Sequence, residues 1–286
     1  MPELSTDTAA VRVETVIRPP VFSPGAALRS ARALARHRDL LYTLTVHRIK
    51  VRYKQSVLGL GWAVVQPLAT MLVLTVVFAY IVRVPTGGEP YALVALAGLV
   101  PWTCFSNAIN SATQSLVSHA QLVTKVYFPR EILPLTYVIA ALVDCLVAAL
   151  VLGGLFVWFG RPFTPRVGLA LATLFVLLVL VTGLSLLLSA LQVRTRDVGV
   201  VIPIVLQLLL FATPVAYPLD TVPARLTSLY SLNPLVGVVE NFRRAVLDSQ
   251  PAHLRSLAIS AVVAGVLLPV AYAWFKHLEA TAADVV

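Results

Sequence analysis

Long apolar segments separated by short polar ones occupy most of this chain, and six of them are long enough to cross a membrane. A helix needs about 20 residues to cross a hydrocarbon core about 30 Å thick. Because that core holds no water, each segment must satisfy its own backbone hydrogen bonds, which favours helices over open strands. The pattern therefore predicts an all-α integral membrane protein. The six predicted transmembrane helices are residues 61–82, 91–111, 133–159, 167–191, 198–218 and 255–275.

The chain before the first apolar segment divides into two parts. Residues 1–25 are polar and contain prolines, which predicts a mobile N-terminal tail. Residues 26–58 are rich in Ala, Leu and Arg, and they predict an amphipathic interface segment ahead of a six-helix transmembrane domain at 59–286. Between residues 48 and 54 basic and apolar residues alternate, which is a strand period rather than a helical one. The sequence leaves the conformation of this stretch open.

Four basic side chains form a collar directly before the first apolar segment: Arg48, Lys50, Arg52 and Lys54. Positive charge next to a first span anchors the start of that span on the cytoplasmic side. The collar lies too far into the chain for a cleaved signal peptide. An even number of spans then predicts a multi-pass protein with both termini in the cytoplasm.

The connection between the fifth and sixth predicted spans is unusual. Residues 219–254 include two apolar pieces, 226–232 and 234–239, that are too short to span and too apolar for a solvated loop. Pro223 and Pro234 interrupt them. Short, interrupted apolar segments of this kind predict re-entrant helices, and we expect them on the outer side of the membrane.

Composition supports a membrane protein and argues against nucleic acid as a partner. The chain is 58% hydrophobic and 12% charged, whereas soluble domains are about 25% charged. Its net charge is +9, but ten of the 22 Lys and Arg residues precede Leu60. Anionic lipid headgroups are the natural partner of such a cluster. Cys104 and Cys145 lie in apolar segments, where we expect small buried side chains rather than a disulfide.

Motifs for catalysis and for cofactor binding are missing from the sequence. Gly-Lys never occurs, so there is no phosphate-binding loop for ATP, and HExxH and GxSxG are absent as well. We therefore expect no cofactor or metal on this chain, with any ATP hydrolysed by a partner chain. Asp144 is the lone acidic residue deep in a span, where we expect it to be paired or near a boundary. One carboxylate argues against an ion-coupled secondary transporter and against a membrane-embedded glycan-modifying enzyme.

Polar and aromatic residues within the spans are candidates for a polar path. Asn107, Asn110 and Gln114 are spaced to share one helix face. Such stripes either line a path or hold the helix bundle together, and the sequence leaves both interpretations open. Aromatic residues either stack on sugars or form an ordinary interfacial belt. The channel-lining candidates are Trp62, Gln66, Trp102, Asn107, Asn110, Gln114, Ser185, Ser189 and Tyr217.

The loop before the third span has the sequence LVTKVYFPREILPL at residues 122–135. We expect Val126, Tyr127 and Phe128 to be exposed beside Arg130 and Glu131, which is how a docking element presents an apolar anchor and orienting charges. The alternative is an ordinary amphipathic connector. The connection at 192–198 is similar but shorter.

Four stretches together resemble the permease subunit of ABC type-2 exporters for polysaccharides and polyol phosphates. They are IKVRYKQSVLGLGWAVVQPL at 49–68, LVTKVYFPREILPL at 122–135, RTRDV at 194–198 followed by LQLLLFATPVAYP at 206–218, and NPLVGVVENFRRAVL at 233–247. The resemblance covers residues 39 to 284. The family of permeases that the chain resembles includes O-antigen and teichoic acid exporter permeases.

The resemblance implies a fold, an assembly and a cargo. A homodimer of the permease forms one channel, and each copy binds one cytoplasmic ABC nucleotide-binding subunit that carries ATP and Mg²⁺. The basic segment before the first span becomes an interface helix. The cargo is an undecaprenyl-diphosphate-linked polysaccharide, moved across the bacterial inner membrane. Permeases of this type for teichoic acid, capsule, a drug or a simple lipid remain alternatives.

The resemblance also implies roles for particular residues. The residues expected to contact the ATPase and couple it to transport are Lys125, Val126, Tyr127, Phe128, Pro129, Arg130, Glu131, Arg194, Arg196 and Asp197. Because the diphosphate of the cargo is anionic, our own hypothesis is that the inner interface attracts it through Arg48, Lys50, Arg52, Tyr53 and Lys54. The outer gate contains Asn233, Pro234, Glu240 and Arg243.

Overall fold

Helices form all the regular secondary structure in the part of the chain that the structure, a computed structural model, describes. That part is residues 34–54, 58–59, 61–126, 128–162, 166–248 and 250–282. The prediction of an all-α protein is confirmed. The tail predicted at residues 1–25 lies outside the described residues.

The basic collar is helical. Helix α1, Arg38–Lys54, begins with Asp39 in its first turn and ends with Arg52 and Lys54 in its last, an order that complements the helix dipole. The alternation of charges arises because the cations occupy two faces of one helix. Arg48 and Arg52, four residues apart, both contact the helix that begins at Ile132, whereas Lys50 and Lys54 are exposed.

In the described part of the chain, five helices are long and apolar enough to span a membrane, and they match five of the six predicted spans within a few residues. The first, α2 (Gly61–Leu74), continues as a π-helical stretch, Thr75–Ile81. The second is α3 (Tyr91–Thr113). The loop after it contains two short helices, α4 (Ser115–Ser118) and α5 (Ala120–Lys125). The others are α6 (Ile132–Trp158), α7 (Val167–Arg194) and α11, which covers Leu254–Ala282.

Helix α8, Val198–Ala212, ends six residues before the predicted end of the fifth span. The chain becomes extended at Thr213, and Pro214 follows it, a residue type that disfavours helical backbone in the residue before it. Fifteen helical residues extend about 22 Å, less than the hydrocarbon core. The predicted boundary at residue 218 is therefore wrong, and the count of six spans stays a prediction.

The two apolar pieces predicted between residues 219 and 254 form two separate helices. They are α9 (Ala224–Ser231) and α10 (Pro234–Leu247). Asn233 caps α10, because its side-chain oxygen accepts a hydrogen bond from the Leu235 N–H over 3.0 Å. Pro234 occupies the first turn, where a missing N–H costs nothing. The interrupted pattern is confirmed, whereas a re-entrant path through a membrane stays a prediction.

Helix α3 lies at the centre of the bundle and packs against α6, α7 and α10. Helix α11 packs mainly along α7. In contrast, α2 and α8 leave most of their apolar surface exposed on the single chain. Exposed apolar residues on these two helices include Leu72, Val73, Val76, Val200, Ile204 and Leu208. This surface suits contact with lipid or with another chain.

Candidate functional site

An ion pair joins α1 to the interior of a span. Arg52 Nη1, in the last turn of α1, donates to Asp144 Oδ2 in α6. Asp144 stands twelve residues after Ile132, so it lies about 18 Å along its helix. Its side chain is only 15% exposed, whereas that of Arg52 is 40% exposed. The expectation that Asp144 is paired is confirmed.

A small, partly open cleft with both polar and apolar walls surrounds this ion pair. Besides Arg52 and Asp144, its walls include the amides of Gln66 and Asn107 and the hydroxyl of Thr103. Small apolar side chains complete the lining: Ala63, Pro67 and Ala148. The cleft therefore brings a basic residue of the collar together with two polar residues of the spans, which the sequence had assigned to separate roles.

Other collar residues are placed differently. The Arg48 guanidinium lies 4.2 Å from the centroid of the Tyr137 ring in α6, a cation–π contact. His119 meets the same ring edge-on at 6.1 Å. Lys50 and Lys54 are exposed, and the Tyr53 side chain lies outside the described residues. Arg48 and Arg52 thus hold α1 along α6, and only Lys50 and Lys54 face away.

The predicted docking loop is partly folded into the protein. The expectation that Phe128 is exposed is wrong, because it is 6% exposed and packs with Phe275 and Leu278 in an inner hydrophobic cluster. Glu131 is 3% exposed, and Lys276 of α11 donates to its Oε2 over 2.7 Å. These two loop residues therefore tie the loop to α11.

The remaining loop residues present a smaller surface. Lys125 and Val126 are exposed, while Pro129 and Arg130 are half-buried. Tyr127 lies outside the described residues. The second connection, between α7 and α8, exposes Arg194, Arg196 and Asp197. Helix α4 packs against α7, so both connections lie at one end of the bundle.

Arg243 of α10 is the centre of the predicted gate region. Its side chain is 3% exposed and donates to the carbonyl oxygens of Pro214 at 2.7 Å, Val215 at 2.6 Å and Tyr217 at 3.1 Å. It also donates to Val94 of α3 at 3.3 Å. Burial lowers the pKa of this guanidinium, while the neighbouring Glu240 carboxylate opposes that shift. The arrangement fixes the extended segment after α8 against α3.

Glu240 connects two arginines of α10. Its Oε2 accepts from Arg243 at 3.0 Å, and its Oε1 accepts from Arg244 at 2.7 Å. The same carboxylate accepts the Leu219 backbone N–H at 3.3 Å. Arg244 continues the network to Asp220 at 2.9 Å. A buried carboxylate with three donors is well satisfied, so this network has a structural role in holding α10 against residues 219–220.

Aromatic and amide side chains complete the contacts around the same segment. The Tyr91 hydroxyl donates to the Ala216 carbonyl. The Tyr217 hydroxyl lies 3.1 Å from that of Tyr230 in α9, and Asn233 Nδ2 donates to Thr213 at 3.1 Å. Every polar residue predicted for the gate therefore contributes to one contact network.

The nine predicted channel-lining residues differ in exposure. Four are exposed on the single chain, namely Trp62, Gln66, Asn110 and Gln114. Two are half-buried, namely Asn107 and Tyr217. Three are buried inside the chain, namely Trp102, Ser185 and Ser189. Side chains enclosed within one subunit offer no surface to a channel, so we leave these three out of the proposed channel wall.

Comparison with known proteins identifies the family. A family model described as ABC-2 type transporter matches residues 39–247, which is most of the chain. The chain belongs to the ABC-2 type transporter family. The match runs from α1 to the end of α10 and leaves α11 outside it. As a family member whose described residues include five apolar helices of spanning length, the chain is a multi-pass membrane protein.

Individual relatives match this chain over nearly their whole length. The O-antigen export system permease protein RfbA of Myxococcus xanthus is 29% identical over 251 residues, 87% of this chain and 96% of that protein. RfbA of Klebsiella pneumoniae is 26% identical over 86% of this chain and 95% of that protein. The polysialic acid transport protein KpsM of Escherichia coli is 29% identical over 82% of this chain and 92% of that protein.

Sequence reasoning missed three charged residues of this ABC-2 chain: Asp220, Arg244 and Lys276. For Arg244 a signal existed, since Arg243 and Arg244 follow Glu240 at the helical spacings of three and four. For Lys276 the sequence contains no such signal, because its partner Glu131 is 145 residues away. Its pairing follows from the packing of α11 alone.

Proposed function

We propose that this chain is the transmembrane subunit of an ABC exporter that moves an undecaprenyl-diphosphate-linked polysaccharide across the bacterial inner membrane. The main support is the similarity to O-antigen export permeases over at least 95% of their length. The chain has no phosphate-binding loop of its own, so a separate cytoplasmic subunit hydrolyses ATP. Two copies of the chain form the channel, and two ATPase subunits bind it.

The exposed surface of the chain supports a path for a glycan. Trp62, Gln66, Asn110 and Gln114 are exposed on the single chain, and amide and aromatic groups bind hydroxyls and sugar rings with modest strength. A long polar polymer must slide, so weak and repeated contacts suit it better than one tight pocket. The apolar faces of α2 and α8 supply surface for a second copy and for lipid.

The proposed orientation follows from the collar. Its four cations place the start of α2, and with it both termini, in the cytoplasm. The connections at 115–131 and 195–197 then face the cytoplasm as well, where an ATPase binds. Lys125, Val126, Arg130, Arg194, Arg196 and Asp197 are its proposed contacts.

Purification in a mild detergent, followed by mass spectrometry, tests the assembly and the cargo together. We expect two copies of this chain, two copies of an ATP-binding protein and a polyisoprenyl-diphosphate glycan. A complex that lacks an ATP-binding protein, or that carries only free drug-like molecules, would contradict the proposal.

The collar has its own test. Replacing Arg48, Arg52 and Lys54 together with glutamine should abolish export, because the anionic headgroup loses its cationic contacts. Since Arg48 and Arg52 also hold α1 along α6, Lys54→Gln alone separates the loss of charge from the loss of packing. Arg38→Gln is the matched control, since Arg38 is an exposed cation at the start of the same helix. Normal export by the triple variant would refute a diphosphate contact here.

A capsule-type polymer is the second candidate cargo. The observation that favours it is the similarity to KpsM of Escherichia coli, named as a polysialic acid transport protein. The same mass spectra separate the two candidates by the lipid anchor and the sugars of the bound glycan.

A further inference from the structure

The ion pair between Arg52 and Asp144 lies in a small, partly open cleft rather than in the packed core. Arg52 belongs to α1, outside the bundle, while Asp144 belongs to the middle of α6. The Arg52 side chain is 40% exposed, so a molecule in the cleft reaches its guanidinium without disturbing the core.

A cation at this position needs a counter-anion. An uncompensated charge within a membrane is costly, and Asp144 supplies the compensating charge. A guanidinium binds carboxylate and phosphate with the same planar fork of donors. A phosphate group that enters the cleft therefore competes with Asp144 for the same N–H groups.

The other walls of the cleft suit the headgroup of a lipid-linked diphosphate. Gln66 and Asn107 line the cleft, and a side-chain amide carries N–H groups that can donate to phosphate oxygens. Ala63, Pro67 and Ala148 provide small apolar surface, which is compatible with the adjoining lipid chain. Cation, amide donors and apolar surface together match an amphiphilic anion better than they match a neutral sugar.

We propose that Asp144 is a resident counter-anion for Arg52, and that the phosphate of a lipid-linked diphosphate takes its place when substrate enters the cleft. This inference rests on the proposed function and specifies where the substrate headgroup binds. Asp144 lowers the cost of keeping Arg52 in the empty cleft and is released when phosphate arrives.

Binding of undecaprenyl diphosphate to the assembled complex in phosphatidylcholine nanodiscs tests the proposal. Asp144→Asn removes the competing anion and should tighten binding roughly fivefold, since a partly exposed ion pair contributes about 1 kcal/mol. Arg52→Gln should weaken binding about tenfold, because a charge-assisted hydrogen bond is lost. In the double variant the gain from Asp144→Asn should largely disappear.

Controls separate this exchange from general charge effects. Arg38→Gln and Asp39→Asn change the exposed pair at the start of α1, and both should leave binding unchanged. Asp144→Ser is the second neutral variant if Asp144→Asn does not assemble. Phosphatidylglycerol and inorganic pyrophosphate as alternative probes show whether any anionic lipid or any diphosphate suffices; equal competition by phosphatidylglycerol would overturn the assignment to substrate.

Two results would overturn the exchange itself: no gain in binding for Asp144→Asn or Asp144→Ser, or the same gain with and without Arg52. The first result means that Asp144 does not compete with phosphate, and the second that it acts through its charge alone. Glycan export by the wild-type complex is measured in parallel. Export together with either result leaves the proposed function in place, whereas no export of any lipid-linked glycan removes the proposed function.

Discussion

Lys276, near the end of the last helix, donates to Glu131, at the start of α6, over 2.7 Å. Glu131 is almost fully buried and Lys276 is 21% exposed. Phe128 and Phe275 pack beside this pair. The loop proposed to meet the ATPase is therefore attached to α11, so a force on the loop reaches α11 directly.

Removal of one partner of this ion pair should destabilise the protein by about 2 kcal/mol, because the other charge stays buried without compensation. We expect this for Lys276→Gln in detergent unfolding measurements. Glu131→Gln combined with Lys276→Gln should cost less than the two single changes added together. Arg161→Gln, which removes a more exposed pair with Glu89, is the control with an effect below about 0.5 kcal/mol. Additive costs would show that the pair does not act as a unit.

Phe128→Ala and Val126→Ala should have different effects. Phe128 is buried, so its truncation should cost about 3 kcal/mol in stability. Val126 is 50% exposed, so Val126→Ala should keep the fold and weaken binding of the ATPase subunit, measured by co-purification. Unchanged co-purification for Val126→Ala would remove this residue from the proposed docking surface.

Gly98→Ala should impair folding of the gate region. A Cβ at Gly98 in α3 would overlap the Val215 carbonyl oxygen and the Arg243 guanidinium. Neither neighbour moves easily, since Arg243 is held by several carbonyls. Gly154→Ala in α6 is the matched control, because its Cβ meets nothing within 4 Å. Yield and monodispersity of the purified proteins compare the two, and equal yields would contradict the close approach at Gly98.

Glu240→Gln should destabilise the gate network by about 3 kcal/mol, because it leaves two buried guanidinium groups without their carboxylate. Asp220→Asn is the control, since Asp220 is 49% exposed and contacts Arg244 alone among the ion pairs described. Its loss should cost under about 1 kcal/mol. Thermal unfolding of both variants checks the ranking, and a reversed order would refute Glu240 as the centre of the network.

The spans were predictable from sequence because hydropathy and length alone define them. The end of α8 was not predictable from hydropathy, since the break at Thr213 lies inside an apolar run. The conformation of the collar was left open by its alternating charges, and only the resemblance implied a helix. The helix places Arg48 and Arg52 against α6 and leaves Lys50 and Lys54 exposed.

The contacts of the candidate site depend on residues far apart in the chain. Arg52 and Asp144 are 92 residues apart, so no local sequence pattern predicts their pairing. Phe128 shares a hydrophobic cluster with Phe275, and an apolar loop residue in a sequence gives no sign of such a distant partner. Residue types at the site were predictable, whereas their partners required the fold.

Proteoliposomes that contain this permease and the proposed ATPase subunit test whether ATP drives transport. The measurement is the amount of undecaprenyl-diphosphate-linked polysaccharide that reaches the face opposite the ATPase. We expect transport that requires ATP hydrolysis and persists when ionophores collapse every ion gradient. Transport that stops with the gradient, or that proceeds without ATP, would contradict it.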